Sequence, residues 1–240
     1  MTSIQEAVPS ARRRRRWPKI VLIAIAVILV FRSFAFQPFN IPAASMMPTL
    51  LVGDYLLVEK YAYGYTHYSL PFSPELFSGR IFGAAPERGD VVAFRLPKDD
   101  GGVYIKRVVG LPGDRIHMKQ GLLHINGTPV ARERLADFDG NACGTSANAG
   151  IKRWRETLPN GVSYETLDCV DNGFYDNTDI YWVPPGHFFV LGDNRDNSSD
   201  SRVLSAMGYI PLDNFIGRVG MIVYSRSPES GAGRIGKLIR

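Results

Sequence analysis

The sequence predicts a mainly β protein, with one N-terminal membrane-spanning helix, an antiparallel β-sheet domain, and a smaller β-rich lobe inserted into that domain. Three observations lead to this fold class. One apolar segment near the N-terminus, with its flanks, is long enough to cross a bilayer. From Asp54 onward, short runs of β-branched and aromatic residues are bounded by Gly, Pro or Asp. Few stretches show a helical period over three turns.

The composition is that of a chain with enough apolar residues for ordinary cores: 240 residues, of which 45% are hydrophobic. The formal net charge of +5 is concentrated in the unbroken basic run Arg12–Arg16, and the remainder is close to neutral. No later segment interleaves Lys and Arg with stacking aromatic residues. A nucleic-acid partner is therefore not expected.

The first element is predicted to be a transmembrane anchor over residues 17–36, preceded by a basic cytoplasmic tail over residues 1–16. The apolar run Ile20–Phe31 has twelve residues, fewer than the roughly 20 that cross a bilayer core. Extension on both sides supplies the length if Lys19 and Arg32 reach toward opposite head-group layers. Basic flanks stay in the cytoplasm, so the body is expected outside it, with the lipid bilayer as a partner.

A cleavable signal peptide is the alternative for this element. A basic segment, a short apolar segment and the small residues Ala43 and Ala44 resemble one. However, the distance from the apolar run to Ala44 is long for a cleavage region, and Pro38 and Pro42 lie within it. These features favour an anchor that is retained.

The next segment carries a serine among prolines. Pro38, Pro42 and Pro48 are predicted to exclude a helix, so Ser45 is expected on an extended or turning chain. A serine in such a turn usually satisfies nearby backbone groups. This stretch alone therefore leaves the role of Ser45 open.

The body is predicted to consist of antiparallel strands. The Asn126-Gly127 pair is a strong hairpin signal between two of them. The predicted strands are Asp54–Tyr61, Asp90–Leu96, Val103–Val109, Arg115–Lys119, Gly121–Ile125, Thr128–Ala131, His187–Leu191 and Ile216–Tyr224.

The strands are assigned to a main β-domain over residues 37–114 and 181–225, with the inserted lobe over residues 115–180. Residues 62–88 are expected to form a long, partly exposed loop with a short helical turn near Pro74–Phe77. Residues 226–240 are Gly/Ser-rich and then basic, and are expected to form a solvated tail; attraction to anionic lipid stays open.

The two cysteines, Cys143 and Cys169, lie in the polar, turn-rich part of the lobe. An even number in a compartment outside the cytoplasm predicts one disulfide. Two unrelated thiols remain the alternative, because sequence does not show proximity.

Metal and cofactor sites are not predicted. The four histidines show no paired ligand spacing, and there is no C-x-x-C. The acidic run Asp193–Asp200 has the composition of a calcium loop but lacks its central Gly and contains Arg195. Neither G-x-G-x-x-G nor a P-loop is present.

With metal and phosphate-binding sites not predicted, nucleophilic catalysis is the remaining chemistry, and Lys106 is the candidate base. It shares a strand face with Tyr104 and Val108, so an inward face would desolvate its ammonium and lower its pKa. A neutral lysine can then deprotonate a serine hydroxyl. The alternative is a surface lysine beside Arg107 on an edge strand.

Four blocks of the sequence, in order, resemble the motifs of bacterial type I signal peptidases. The resemblance covers roughly residues 32–114 and 181–225, and the stretch between corresponds to the family's variable insertion only in position. The blocks are Ser45-Met-Met-Pro-Thr-Leu50, Arg88-Gly-Asp-Val-Val-Ala-Phe94, Tyr104-Ile-Lys-Arg-Val-Val-Gly-Leu-Pro-Gly-Asp114 and Gly192-Asp-Asn-Arg-Asp-Asn-Ser-Ser-Asp-Ser-Arg202.

The resemblance implies a membrane-anchored serine endopeptidase that removes signal peptides from exported proteins. It implies that Ser45 is the nucleophile and Lys106 the general base, with Ser198 hydrogen-bonded to that lysine and orienting it. The residues implied to form a supporting polar network are Asp193, Asp200 and Arg202. No metal or cofactor is implied.

The resemblance also implies how substrate binds. Ile41, Met46, Tyr104 and Ile105 match positions that line shallow pockets for small side chains, which favours Ala-x-Ala before the cut. An extended substrate would add as a strand beside the segments of Pro42 and Tyr104. The family context adds a functional link to the protein export machinery and a place in the bacterial cytoplasmic membrane.

The chain departs from the family pattern at Ala43. The family often has a serine two residues before the nucleophile, and that hydroxyl helps to hold the oxyanion. The backbone N–H of Ser45 is therefore expected to carry most of the oxyanion stabilisation here.

Two other functions stay open. A membrane-tethered β-domain could bind partners without catalysis, in which case Ser45 would be dispensable. A related Ser/Lys processing protease or self-cleaving repressor could share the scaffold, although the anchor and the lack of a DNA-binding element argue against a repressor.

Overall fold

The computed structural model describes residues 17–70, 73–74, 76–96, 102–144, 150–227 and 232–239, and the basic tail over residues 1–16 lies outside them. It contains one α-helix, α1 (Trp17–Phe34), and fourteen strands within that part of the chain. In order, the strands β1 to β14 are Phe36–Asn40, Asp54–Glu59, Val91–Arg95, Val103–Gly110, Arg115–Lys119, Leu122–Ile125, Thr128–Pro129, Ala131–Arg134, Lys152–Thr157, Ser163–Asp168, Tyr181–Trp182, His187–Leu191, Ile210–Pro211 and Phe215–Ser225.

Helix α1 has the length and composition of a membrane span. At 1.5 Å per residue its 18 residues extend about 27 Å, close to the thickness of a bilayer core. Most of its apolar side chains are exposed, unlike those of a core helix. The helix ends at Phe34, two residues before the predicted end of the anchor, and β1 begins at Phe36.

The largest sheet has seven strands in the order β1-β2-β14-β3-β4-β12-β13, all paired antiparallel. Each predicted strand coincides with an observed one to within a few residues, except that Thr128–Ala131 is divided between β7 and β8. The mainly antiparallel β fold class is therefore confirmed. One apolar cluster under the sheet contains Ile41, Met46 and Leu50, so the segment around Ser45 is packed onto it.

The region between β4 and β12 forms two smaller antiparallel sheets, β11-β5-β6-β7 and β10-β9-β8. Asn126 and Gly127 both have positive φ, 54° and 84°, as a two-residue type I′ hairpin requires. Strand β11, Tyr181–Trp182, pairs with β5 and so belongs to the smaller sheet rather than to the main one. Strands β9 and β10 were not predicted, because their charged residues obscure the period-2 pattern.

The turning chain expected at Ser45 is present, whereas the helical turn expected near Pro74–Phe77 is absent from the described residues. Ser45 lies in a single 3₁₀ turn, Ala44–Met46, which fits between Pro42 and Pro48 because it is too short to need a proline N–H. Pro74–Phe77 is not a helical turn in its described residues. The loop after β2 is instead held by the Arg80 guanidinium, which donates to four backbone carbonyl oxygens at 2.6 to 3.1 Å.

The described part of the C-terminal segment, residues 232–239, is not a solvated tail. Arg234 Nη2 donates to Asp54 Oδ2 at 2.6 Å and to Thr49 O at 2.9 Å. Ile239 is 7% exposed and joins the apolar cluster under the main sheet. The fully buried Asp54 also accepts from the Leu51 N–H at 2.9 Å, so the C-terminal segment braces the chain that follows Ser45.

We predict that Arg234→Ala destabilises the protein by about 3 kcal/mol, the lower end of the cost of breaking a buried pair, because Arg234 is partly exposed. The substitution would remove the cation that pairs with the Asp54 carboxylate and leave that carboxylate buried and unpaired. Thermal melting of the full chain in detergent measures the loss. Arg226→Ala is the matched control, because Arg226 is exposed. Within the described residues, its side chain has no ion pair and lies only near the rings of Tyr55 and Tyr224. Equal melting temperatures for the two variants would contradict the bracing role.

Candidate active site

The 3₁₀ turn that carries Ser45 is held by one asparagine. The backbone N–H of Asn194 donates to Ser45 O at 3.1 Å. Its side-chain Nδ2 donates to Ala44 O at 3.2 Å and to Ala142 O at 2.8 Å. Asn194 is fully buried, so its amide is committed to these contacts. The turn is thereby fixed to the loop after β12 and to the inserted lobe.

Lys106 projects from β4 directly at this serine. Its Nζ lies 2.6 Å from Ser45 Oγ, within hydrogen-bond distance. The lysine is 4% exposed, while the serine is half-buried and can be reached from solvent. The inward strand face predicted for Lys106 is therefore present, and the edge-strand alternative is excluded because β4 lies between β3 and β12.

Burial lowers the pKa of Lys106 from its ordinary value of 10.5 to about 8. The loss of hydration is the largest cause, and the carboxylates of Asp200 and Asp193 oppose it by favouring the ammonium. At neutral pH roughly one lysine in ten is then the free amine, compared with fewer than one in a thousand for an exposed lysine. Lys106 can therefore act as a base near physiological pH.

A second lysine shows that burial alone does not place an amine beside a hydroxyl. Lys60 is 2% exposed, and burial followed by repulsion from Arg32 lowers its pKa to about 8 as well. Its Nζ donates to the backbone oxygen of Ser69 at 2.6 Å, which has no proton to give. Geometry, rather than the pKa, separates Lys106 from Lys60.

Asp193 is held by the arginine next to Lys106. Arg107 Nε and Nη2 each donate to one carboxylate oxygen of Asp193 at 2.8 Å, and both side chains are buried. Thr49 Oγ1 donates to the same carboxylate at 2.5 Å. This bidentate pair links β4 to the segment just after Ser45 and keeps the net charge near Lys106 low.

Asp200 and Arg202 form a second buried bidentate pair. Arg202 Nε and Nη2 donate to the two carboxylate oxygens at 2.8 Å each, and the Gly192 N–H donates to Asp200 at 3.1 Å. Burial favours the neutral acid, but Arg202 and these hydrogen bonds outweigh it and lower the pKa of Asp200. The carboxylate therefore stays ionised without taking a proton from Lys106.

Ser198 does not form the hydrogen bond expected of it. Its Oγ is buried and has no hydrogen-bond partner in the described part of the chain, so a bond to Lys106 is absent. The hydroxyl lies against Gly192, where a Cβ would overlap both Ser198 Oγ and Ser45 O. Glycine is therefore required at position 192 for this close approach.

The inserted lobe contributes a buried network behind the site. Glu156 on β9 pairs with both terminal nitrogens of Arg195, at 3.0 and 2.6 Å. Tyr164 on β10 donates its hydroxyl to Glu156 at 2.9 Å, and its ring lies 4.1 Å below the guanidinium of Arg107. Both strands thus support the arginine that holds Asp193.

The disulfide predicted for the lobe is present between Cys143 and Cys169, whose Cα atoms are 5.9 Å apart. The bridged loops also contact the site. Ala142, beside Cys143, accepts from Asn194 at 2.8 Å, and the Cys169 N–H donates to Asp196 at 2.7 Å.

The residues predicted to line substrate pockets fall into two groups. Ile41 and Met46 are buried in the apolar cluster under the main sheet, and Ile105 packs against it. Tyr104 lies on the face of β4 that also carries Lys106 and packs in a separate cluster with Phe94. The four residues therefore lie in two apolar clusters, one of which includes the segment around Ser45.

Pro42 and Ala43, which precede Ser45, are exposed. The backbone of Ala43 is extended, with φ −127° and ψ 150°. This segment continues from β1, the edge strand of the main sheet. An extended peptide can approach it without displacing a neighbouring strand.

Several residues of the site, including Arg107, Glu156, Tyr164 and Asn194, were not assigned a role from the sequence. Alternation along β4 puts Arg107 on the face opposite Lys106, where a charged residue is expected in water, but both faces of the strand are buried. Glu156 and Tyr164 lie in the lobe, far away in sequence. The only sequence signal for Asn194 was its position inside the Gly192–Arg202 block. The composition of that block alone does not distinguish it from a polar turn.

Within the described ranges, no group of three or more His, Cys, Asp and Glu side chains is placed to hold a metal ion.

Comparison with known families gives one match over most of the chain. The family described as signal peptidase, peptidase S26, matches residues 14–224. This range includes the apolar helix, both halves of the main sheet and the lobe between them.

Curated relatives agree with this match. Signal peptidase I of Rickettsia typhi is 42% identical over 211 residues, covering 84% of this chain and 76% of the relative. Signal peptidase I of Rickettsia conorii is 40% identical over 222 residues, covering 88% and 80%. A crystal structure of a signal peptidase I from Enterococcus faecalis is 28% identical, covering 57% of this chain and 97% of that one, with a TM-score of 0.34.

We predict that the bond between Cys143 and Cys169 closes in protein taken from an oxidising compartment. Alkylation should label neither cysteine before reduction and both after it, as intact mass would show. Because the bridge closes a loop of 26 residues, reduction should cost about 3.5 kcal/mol in the chain-entropy model. Melting of oxidised and reduced protein tests this, with the variant lacking both cysteines as the control that reductant must not affect. Two reactive thiols in unreduced protein would refute the bridge.

Proposed function

Because the chain belongs to the signal peptidase family, peptidase S26, we propose that Ser45 is its catalytic nucleophile and Lys106 the general base. The protein is a membrane-anchored serine endopeptidase that cleaves signal peptides. The observation that carries the proposal is the 2.6 Å contact between Lys106 Nζ and Ser45 Oγ, with the lysine buried and the serine open to solvent.

The contact suits proton transfer in both directions. Neutral Lys106 takes the hydroxyl proton as Ser45 Oγ attacks the scissile carbonyl carbon, and a tetrahedral oxyanion forms. The lysine ammonium then gives the proton to the leaving amine, so the peptide bond breaks and an acyl-enzyme remains. A water molecule, deprotonated by the same amine, releases the signal peptide and restores Ser45.

The oxyanion would be held chiefly by the backbone N–H of Ser45. The first turn of a helix leaves its amide donors without an intrahelical acceptor, and Ser45 lies in such a turn. Ala43 offers no hydroxyl, so the side-chain donor common in the family is missing. Asn194 contributes by fixing the orientation of the turn through Ser45 O and Ala44 O.

The substrate would be an extended segment with small residues before the cut, of the Ala-x-Ala type. The support is the exposed, extended stretch at Pro42 and Ala43 beside the edge strand β1. Strand addition supplies main-chain hydrogen bonds there, while Ile41, Met46 and Ile105 form apolar walls that suit small side chains.

The proposed location is the bacterial cytoplasmic membrane, with the N-terminus in the cytoplasm, the catalytic body outside it, and a functional link to the export machinery. The arginine run before α1 supports this orientation through the positive-inside rule. The disulfide supports an oxidising compartment for the body.

We predict that Ser45→Ala and Lys106→Ala each abolish cleavage of a pre-protein by the full chain, while the protein still folds. Because the two residues act as a unit, the double variant should be hardly slower than either single one. Gel-based processing assays measure this, with Ser205→Ala and Lys119→Ala as controls at exposed positions.

Near-normal turnover by Lys106→Ala would remove lysine from the mechanism. Full activity of Ser45→Ala would favour a different nucleophile. Failure of the unsubstituted chain to process any pre-protein, with a partner still bound, would favour the tethered binding domain.

We also predict that kcat/KM rises with pH through an ionisation near pH 8. The sign follows from the base: the amine of Lys106 is active only when neutral, and burial lowers its pKa to about 8, so activity is lost below that pH. The assay is cleavage of an Ala-x-Ala peptide from about pH 6 to about pH 10, with folding checked by circular dichroism at each pH. A rate that climbs only near the ordinary lysine pKa would show that Lys106 is solvated during catalysis.

A further inference from the structure

A cavity of about 410 Å³ lies between the end of the membrane helix and the base of the main sheet. Leu29 and Arg32 of α1 line one side. Lys60, Leu70 and Arg95 are among the residues that line the body side. Its volume is that of an ordinary small-molecule site.

The charge of this cavity is entirely positive. Arg32, Lys60 and Arg95 line it, and none of its lining residues is Asp or Glu. None of the three cations forms an ion pair in the described part of the chain. The arginines behind the active site, in contrast, each lie against a carboxylate. The cavity therefore concentrates positive charge that the described part of the chain leaves without a counter-ion.

Two of these cations have hydrogen-bonding capacity that the protein does not use. Lys60 is 2% exposed, and one of its three N–H donors goes to Ser69 O. Within the described residues, Arg95 Nε is buried with no hydrogen-bond partner, and the Arg95 guanidinium lies 5.5 Å from the ring centroid of Tyr68. Burial and repulsion from Arg32 lower the pKa of Lys60 to about 8, as expected for a buried ammonium without a counter-ion. An anion in the cavity would relieve both costs.

The position of the cavity at the C-terminal end of α1 sets its expected height in the membrane. Arg32 is in the last turn, where a spanning helix of this length would leave the bilayer core for the head groups. Leu29, one turn deeper, and Leu70 give the cavity an apolar border next to its cationic part. The helix end is fixed to the body, because Lys60 N–H donates to Ala35 O at 3.0 Å and Tyr65 Oη donates to Phe34 O at 2.8 Å. Cations and apolar residues therefore meet where a phospholipid has its phosphate and the start of its acyl chains.

We propose that this cavity binds the head group of an anionic phospholipid, with Arg32, Lys60 and Arg95 around the phosphate and Leu29 and Leu70 along the acyl chains. Such a lipid bridges the membrane helix and the catalytic body. It neutralises the cationic cluster and fixes the body relative to the bilayer surface.

The test is lipid binding by the full chain in a neutral detergent, with dioleoyl phosphatidylglycerol and dioleoyl phosphatidylcholine as probes. Native mass spectrometry counts bound lipids, so no substrate or turnover is needed. The parent should retain phosphatidylglycerol in preference to phosphatidylcholine. Arg32→Gln, Lys60→Gln and Arg95→Gln should each weaken phosphatidylglycerol binding about fivefold and leave phosphatidylcholine binding unchanged.

Lys119→Gln is the matched control, because it removes one exposed charge from the lobe and should keep the parent's preference. Arg32 is exposed on the helix, so Arg32→Gln remains informative if a buried variant does not fold. Equal retention of the two lipids by the parent, or parental phosphatidylglycerol binding by Arg32→Gln, would overturn the proposal. Displacement of the lipid by inorganic phosphate at equal concentration would show a free-anion site instead and would overturn it as well.

Discussion

The constraint on which the rest of the site depends is the burial of one lysine amine against one serine hydroxyl. The Lys106 ammonium must be desolvated enough to lose its proton near neutral pH, yet the carboxylates of Asp200 and Asp193 lie close enough to favour its charged form. The fold resolves this by giving each carboxylate its own arginine: Arg107 holds Asp193, and Arg202 holds Asp200. A buried bidentate pair presents little net charge to its surroundings, so desolvation remains the larger influence on Lys106.

The position of the serine hydroxyl has to be as well defined as the charge of the amine. A short 3₁₀ turn has few hydrogen bonds of its own, so the turn at Ser45 is held from outside. Asn194 holds its carbonyls, Thr49 ties the following residues to Asp193, and Arg234 ties them to Asp54. These contacts come from the loop after β12 and from the C-terminal segment. The proposed nucleophile is thus positioned by parts of the chain more than a hundred residues away in sequence.

The sequence was sufficient for the elements that carry local signals. Short β-branched runs located five of the seven strands of the main sheet but neither β1 nor β13, and the Asn126-Gly127 pair located a hairpin. The pairing of Ser45 with Lys106 came from the resemblance of four blocks to a known family, because no local pattern connects two residues 61 positions apart. The contact between Arg234 and Asp54 had no such signal. A basic, Gly-rich terminus is expected in solvent, and the sequence does not show that Asp54, the partner of Arg234, is buried. The buried position of Arg107 was not predicted for a related reason. Alternation predicts that one face of a strand is exposed to solvent, but both faces of β4 are buried over its second half.

The two buried lysines differ in the groups around them, and this difference separates the proposed catalytic site from the proposed binding site. Both are almost fully buried, and burial lowers the pKa of both to about 8. Lys106 faces a hydroxyl that can give up a proton, with paired carboxylates around it, so its loss of charge is coupled to forming a nucleophile. Lys60 faces a backbone carbonyl and other cations, so an added anion would offset its desolvation. The same physical cost of burial therefore suits the proposed proton transfer at one site and the proposed anion binding at the other, and the neighbouring groups decide which.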